Sequence, residues 1–234
     1  MPTMYEIYEK HADRYHELVM AEDLEGNLYR ALHELADWHG LSVFEAGVGT
    51  GRVTSTYIHQ ADSAYCCDRS EHMLAFAKDN LKKYTSKIEF AIAENSDLPE
   101  LDRAFDVFIE GWSFGHATSD CTSKEEIIAR TSLLVGSAEK NIKPGGVIIL
   151  IESLGTNVEL PSPPNKRLDI FYTALTDLHG FRCSKIKTDY LFDSNAEAVR
   201  VMGFFFGEDI EQSIRRRGSR IVPEWTGIWT KELP

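Results

Sequence analysis

Three glycines at alternate positions, in Glu45-Ala46-Gly47-Val48-Gly49-Thr50-Gly51-Arg52, are followed by one acid at Asp68 and another at Glu94. Glycines so placed let the backbone turn tightly and let a ligand come close where a Cβ would collide. The helix start behind them offers free N–H groups to a carboxylate or other anion. Spacing separates the possible ligands. A dinucleotide loop, G-x-G-x-x-G, needs glycine at residue 52 or 54, where the chain has Arg52 and Thr54, and no Gly-Lys-Ser/Thr of a Walker loop follows. Asp68 stands where an acid accepts both hydroxyls of a ribose. Glu94 can accept from the exocyclic amine of an adenine while the backbone N–H of Asn95 donates to a ring nitrogen. The combination describes a nucleoside site without a pyrophosphate.

A second set of reactive side chains lies in Glu110-Gly111-Trp112-Ser113-Phe114-Gly115-His116. The Glu110 carboxylate could bind an ammonium group or a cationic substrate, act as a base, or simply end a strand. His116 titrates near neutrality and could serve as a general base, or bond to backbone as a loop histidine. Trp112 and Phe114 are aromatic walls or ordinary packing. Tyr5, Tyr8, His11, Ala12 and Tyr15 recur at helical spacing, as a core stripe would. Arg215-Arg216-Arg217 with Arg220 is a basic patch that could hold an anionic acceptor or form a solvated face.

Positioning these residues requires elements, and the chain alternates short β-rich runs with longer helical segments, the pattern of an α/β sheet. Strands are expected at 42–46, 64–68, 88–92, 105–110 and 147–152, near-continuous apolar runs suited to burial on both faces. Two helices are expected before the first strand. After residue 152 the reading is a helix to about 179, a strand over 183–192, a helix over 195–216 and a strand over 220–230. The apolar stretch Val199 to Phe206 reads as packing against the sheet or as one wall of a substrate pocket. Lys143-Pro144-Gly145-Gly146 reads as the turn closing the helix before the fifth strand. No repeat or linker divides the chain, so one domain is expected over 1–234: a helical lid at 1–40, a cofactor half at 41–153 and a substrate half at 154–234.

Composition narrows the partners. Lys and Arg number 25 against 37 Asp and Glu, a net charge of −12 that repels phosphate backbones and disfavours nucleic acid. The longest apolar run, Val147 to Ile151, is far short of the roughly 18 residues of a membrane span. Glu6, Glu9 and Lys10 interrupt the N-terminus, so no signal peptide is read there and a cytoplasmic location is expected. Cys66, Cys67, Cys121 and Cys183 lack paired spacing, which fits a reducing compartment better than a zinc site. A small-molecule partner and no metal are expected. Oligomeric state is left open.

With these residues in view, the chain resembles the class I S-adenosylmethionine-dependent methyltransferases, particularly the small-molecule group that includes ubiquinone and menaquinone biosynthesis enzymes. The resemblance runs over roughly residues 5–153. It implies a Rossmann-like three-layer sandwich with a seven-stranded, mostly parallel sheet whose last strand is antiparallel. In that likeness Glu45, Gly47, Gly49 and Gly51 border the methionine part of S-adenosylmethionine and Asp68 takes the ribose. Arg69, Met73, Glu94 and Asn95 surround the adenine, with Glu94 in place of the more usual Asp. Tyr15, with Tyr8, resembles the amino-terminal lid. An acid at Glu110 departs from the small or polar residue usual there, making it a candidate for the cofactor's ammonium or, with His116, for catalysis. The implied reaction is in-line transfer of a methyl group to O, N, S or C of a small molecule, leaving S-adenosylhomocysteine. Two alternatives share the pocket: a cofactor-binding regulator without turnover, and an aminopropyl transferase using the decarboxylated cofactor.

Overall fold

The central strand β1 (Ser42–Ala46) is buried from its second residue to its fifth, as a strand covered on both faces must be. The computed structural model describes the backbone of residues 4–234, and the side chains from Glu6 onward except that of Tyr8. Three helices precede β1: α1 (Met4–Lys10), α2 (Ala12–Ala21) and α3 (Asn27–Leu35). The sequence reading expected two helices here; the chain instead breaks twice, at His11 and again before α3 at Gly26, left-handed at φ 68°. There follow α4 (Arg52–Tyr57), β2 (Ser63–Asp68), α5 (Glu71–Asn80), β3 (Ile88–Ile92), β4 (Phe105–Gly111), α6 (Lys124–Lys140) and β5 (Ile142–Thr156).

β5 starts earlier than expected, because Lys143 to Gly146 belongs to the strand as an irregularity opposite Phe105 and Val107. Beyond it come α7 (Lys166–Asp177), β6 (Arg182–Lys187), β7 (Tyr190–Leu191), α8 (Asn195–Phe206), α9 (Glu208–Arg217), β8 (Ile221–Val222) and β9 (Glu224–Glu232). Three expected single elements are therefore split. The helix over 195–216 breaks at Gly207, φ 86° and ψ −177°, a conformation reserved for glycine. The strand over 220–230 divides at Pro223, which has no N–H for a ladder, and runs on to Glu232. The strand over 183–192 divides where the Thr188 N–H and the Asp189 carboxylate turn to the backbone of Glu224.

The sheet order is β3-β2-β1-β4-β5-β9-β6, with β1 to β5 parallel and β9 antiparallel to both neighbours. This is the sheet read from the sequence. One face packs Phe44, Tyr65, Phe105, Phe108 and Phe114 under α6 and α7, and the other packs Leu32, Trp38, Tyr57, Ile109 and Ile149 under α3, α4 and α5. A third apolar cluster joins Ile7 and Leu18 of the amino-terminal helices to Val201, Met202 and Phe205 of α8. The apolar helix α8 thus packs on the amino-terminal segment. Among the described residues no helix is long and apolar enough to cross a membrane.

Phe108 lies flat against Phe44 at 5.3 Å and also meets Phe114, the anchor of the loop after β4. Phe108→Ala is expected to lower the unfolding free energy by about 3–5 kcal/mol, measured by urea denaturation.

Candidate functional site

Sheet order reverses at β1, between β2 on one side and β4 on the other, and open α/β sheets bind ligands at the carboxyl ends of such strands. A cavity of about 290 Å³ opens there. The glycine loop forms its floor. Gly47, Gly49 and Gly51 all have positive φ, 69°, 55° and 86°, which is why the loop is built of glycine. Their surroundings differ. A Cβ on Gly47 would stand 2.4 Å from the Cβ of Ser113, and one on Gly51 would stand 2.7 Å from Leu81. Only Gly49 has open space, with Tyr15 at 3.7 Å. The sequence reading gave all three glycines to ligand clearance; two of them instead admit a neighbouring side chain, and Gly51 lies behind the cavity lining.

Asp68 fixes the loop. Only 8% exposed, it accepts the Gly49 N–H on Oδ2 at 2.9 Å and the Ser70 N–H on Oδ1 at 2.8 Å. Burial outweighs these bonds and raises its pKa above the ordinary carboxylate value. Ser70 in turn caps α5 by accepting from the Met73 N–H. Met73, Arg69, Glu94 and Asn95 share the cavity wall with Asp68, Gly47 and Gly49, and Arg69 pairs with Glu94 at 3.6 Å on the exposed rim. Tyr15 closes the opposite side, and burial pushes its hydroxyl up to about 12, so the phenol is neutral at physiological pH.

Two acids expected in the cavity are not in its lining. Glu45 is buried behind the loop, accepting from the hydroxyls of Thr54 and Tyr57, and burial raises it to about 7. It braces β1 against α4. Glu110 is fully buried, with Oε2 accepting from Ser113 N at 3.0 Å, Ser113 Oγ at 2.9 Å and Phe114 N at 3.1 Å. Covered in this way, it is walled off from a ligand's ammonium or an acceptor's proton by the loop it holds. His116 does stand at the cavity mouth, with part of its surface open to solvent and its ring set among protein atoms. Protein crowded around its ring, with the Arg167 guanidinium behind, lowers its pKa and keeps the imidazole neutral at pH 7. Trp112 lines the cavity at φ 53°, and the Arg52 guanidinium stacks 4.5 Å over its ring while pairing with buried Glu22 at 2.6 Å.

Other lining residues went unread in the sequence: Ser96, Ser113, Ala117, Asp120 and Arg130. They come from loops and from α6, with no motif to mark them. Arg130 donates to the Ala117 carbonyl at 2.6 Å and pairs with Asp120, tying α6 to the turn after β4. The side chains of Tyr5 and Tyr8 lie outside the described residues. The basic patch is a helix face: Arg215 pairs with Glu211, Arg217 with Glu159, and none of its arginines lines the cavity. Among the described residues no group of three His, Cys, Asp or Glu could hold a metal ion.

Residues 43–131 match the model of a family described as a methyltransferase domain. An uncharacterized methyltransferase of Bacillus mycoides (strain KBAB4) is 27% identical over 140 residues, which is 57% of this chain and 63% of that protein. The chain therefore spans under two thirds of the length of the curated relatives it matches. Among solved structures, the YcgJ protein of Bacillus subtilis superposes with a TM-score of 0.58 at 12% identity, over 88% of this chain and 97% of that one. DhpI, solved as a SAM–HEP complex, superposes at 0.57 and 16% identity, over 97% and 95%. The two structural likenesses are likenesses of fold. The methyltransferase domain and the sheet read in the sequence are both borne out, while none of these names specifies a quinone acceptor.

The unequal surroundings of the glycines set an expectation for stability. Gly49→Ala is expected to cost about 1–2 kcal/mol through its left-handed backbone alone. Gly47→Ala adds the collision with Ser113 and is expected to cost about 2–5 kcal/mol. Chemical denaturation of the two variants checks the order.

Proposed function

We propose that the methyltransferase domain at 43–131 makes this chain an enzyme that moves a methyl group from S-adenosylmethionine to a small-molecule acceptor. The observation that carries the reading is Asp68, held in the cavity between the glycine loop and the Glu94-Asn95 turn with acceptor capacity to spare. An ionised carboxylate has about four lone-pair sites, and the N–H groups of Gly49 and Ser70 use two. Two remain for the paired hydroxyls of a ribose. Met73 and Ala117 supply apolar cover for the adenine, and Glu94 with the Asn95 N–H reads its polar edge. Gly49, open beneath Tyr15, leaves room for the methionine portion.

The cofactor supplies a sulfonium, which carries both the methyl group and its leaving group. What the protein adds is position. Holding acceptor and methyl about 3–3.5 Å apart in line is worth on the order of 7–11 kcal/mol. Trp112, Ser113 and Tyr15 form the wall against which an acceptor would be held. Where the acceptor must lose a proton, His116 at the cavity mouth is in the base form, but with its pKa lowered to about 4 it is a weak proton acceptor. Glu110 acts behind the loop. We take the 234 residues as one working unit, and an acidic chain with four free cysteines suits the cytoplasm and a small-molecule partner.

Titration calorimetry with S-adenosylhomocysteine tests the reading. The wild type is expected to bind, Asp68→Ala to bind roughly 10–100-fold more weakly through loss of charge-assisted hydrogen bonds, and Gly49→Val to lose binding. Unchanged affinity in Asp68→Ala would sink the assignment. Tighter binding of decarboxylated S-adenosylmethionine than of the parent would favour aminopropyl transfer, and a labelled-cofactor acceptor screen without any turnover would favour a binding protein.

A further inference from the structure

Two buried acids stand behind the loop after β4 without a part in the transfer itself. Glu110 is in register with Leu150 of the neighbouring parallel strand, two residues before Glu152, so both side chains leave the same face of the sheet. Consecutive N–H groups of one loop divide between them. Ser113 and Phe114 donate to Glu110, and Gly115 donates to Glu152 Oε1. The fit is close, for a Cβ at Gly115 would stand 2.8 Å from Glu152 Oε2. Glu110 Oε1 is buried without a well-formed hydrogen bond, although the Ile151 N–H of β5 also favours the charged carboxylate. A buried charged oxygen with so little hydrogen bonding is costly, and a further donor beside it would stabilise the site.

Among the described residues, the ionisable groups facing the pair are few. From α7, Arg167 donates to the Gly115 carbonyl at 2.5 Å and to the Thr118 hydroxyl, and the Tyr172 hydroxyl donates to the Ser153 carbonyl at 2.8 Å. From the turn after β4 there is His116, which is neutral. One guanidinium set against two enclosed carboxylates leaves one negative charge too many, and a carboxyl in that position keeps its proton. Burial raises Glu110 to about 7, and burial with the Glu110 charge raises Glu152 further.

We propose that Glu110 and Glu152 share one proton, Glu152 donating its hydroxyl to Glu110 Oε1, and form a positioning pair that holds the Ser113–Gly115 loop as a wall of the cavity. Loss of that proton to solvent at alkaline pH sets two like charges side by side and loosens the wall. Only the consequence for the cofactor rests on the methyl-transfer reading; the pair itself does not.

Glu152→Gln keeps an oxygen for the Gly115 N–H and offers an N–H to Glu110 Oε1, with no proton to lose. Glu110→Gln exchanges the roles and serves as a second variant. Both acids have folded-state values above the ordinary one, so each contributes stability that is present below the unfolded-state value and lost as pH rises through the folded one. Melting temperatures without ligand are therefore expected to diverge between about pH 5 and pH 9, the wild type falling relative to either Gln variant. Affinity for S-adenosylhomocysteine is expected to weaken by up to roughly tenfold per pH unit in the alkaline limb of the wild type, and to stay flat in Glu152→Gln. Glu152→Ala, which keeps neither bond, is expected to bind more weakly at every pH. Parallel melting curves for wild type and both Gln variants would overturn the shared proton. Diverging melting curves with an identical pH profile of affinity would overturn the positioning role. A wild type that binds no S-adenosylhomocysteine at any pH would overturn the cofactor reading, and the melting comparison would still decide the pair.

Discussion

The cavity exists because one buried carboxylate holds two loops at once. Asp68 ends β2, and its two oxygens take the N–H of Gly49 from the loop after β1 and the N–H of Ser70 from the start of α5. Neither loop has a ladder partner for these groups, and an unpaired N–H this close to the interior is costly. The bond from the Val48 N–H to the Cys67 carbonyl adds a second tie between the same strands. With the loop fixed, positive φ at three glycines turns the chain back in the space of five residues, and α4 begins. Removing the carboxylate would leave donors on both loops unsatisfied, so the local order of both depends on one side chain.

The arrangement is repeated strand by strand. Glu45, Asp68, Glu110 and Glu152 lie near the carboxyl ends of β1, β2, β4 and β5, and each accepts hydrogen bonds from the segment that follows or adjoins it. A parallel sheet needs this more than an antiparallel one does. Its strand ends open into long crossovers instead of tight hairpins, and the first residues of each crossover carry N–H groups without ladder partners. Carboxylates there are strong acceptors, and burial makes their bonds stronger while making the ionised form dearer to hold. All four accordingly sit above the ordinary carboxylate value.

The residues that gather at the cavity from β1, β2 and β3 were legible in the sequence because their signals are local. Gly47, Gly49 and Gly51 announce backbone that only glycine adopts readily, and Asp68, Glu94 and Asn95 follow at strand ends whose apolar runs are plain. What was not legible depended on neighbours far along the chain. That Gly47 makes room for Ser113, 66 residues away, cannot be seen from either residue. Glu110 looked like a reactive group at a strand end, and the loop that covers it decides otherwise. Glu152 carried no signal, being one acid at the end of an apolar run. The split elements after residue 182 failed for a simpler reason: Gly207 and Pro223 are the breakers, and apolar residues continue across both.

The amino-terminal helices and α8 meet over the same end of the sheet as the cavity, with Tyr15 between them. α2 and the residue before it are fastened to α8 by several contacts: His11 meets Phe204 edge-on at 5.6 Å, Arg14 lies 4.6 Å over the same ring, and Glu17 pairs with Arg200. The residue after α2, Glu22, then reaches Arg52 at the start of α4, whose guanidinium covers Trp112. Tyr15 is therefore no free flap. It is carried by a body built from both chain ends and latched to the glycine-loop helix through a buried ion pair. Breaking that pair by removing one partner strands the other charge in the interior, a far larger penalty than a surface pair would show. Widening the cavity between Tyr15 and Trp112 by moving α2 carries α8 with it and draws Glu22 away from Arg52, at the cost of an exposed or orphaned charge. α8 thereby helps to hold Tyr15 in place, although none of its residues lines the cavity.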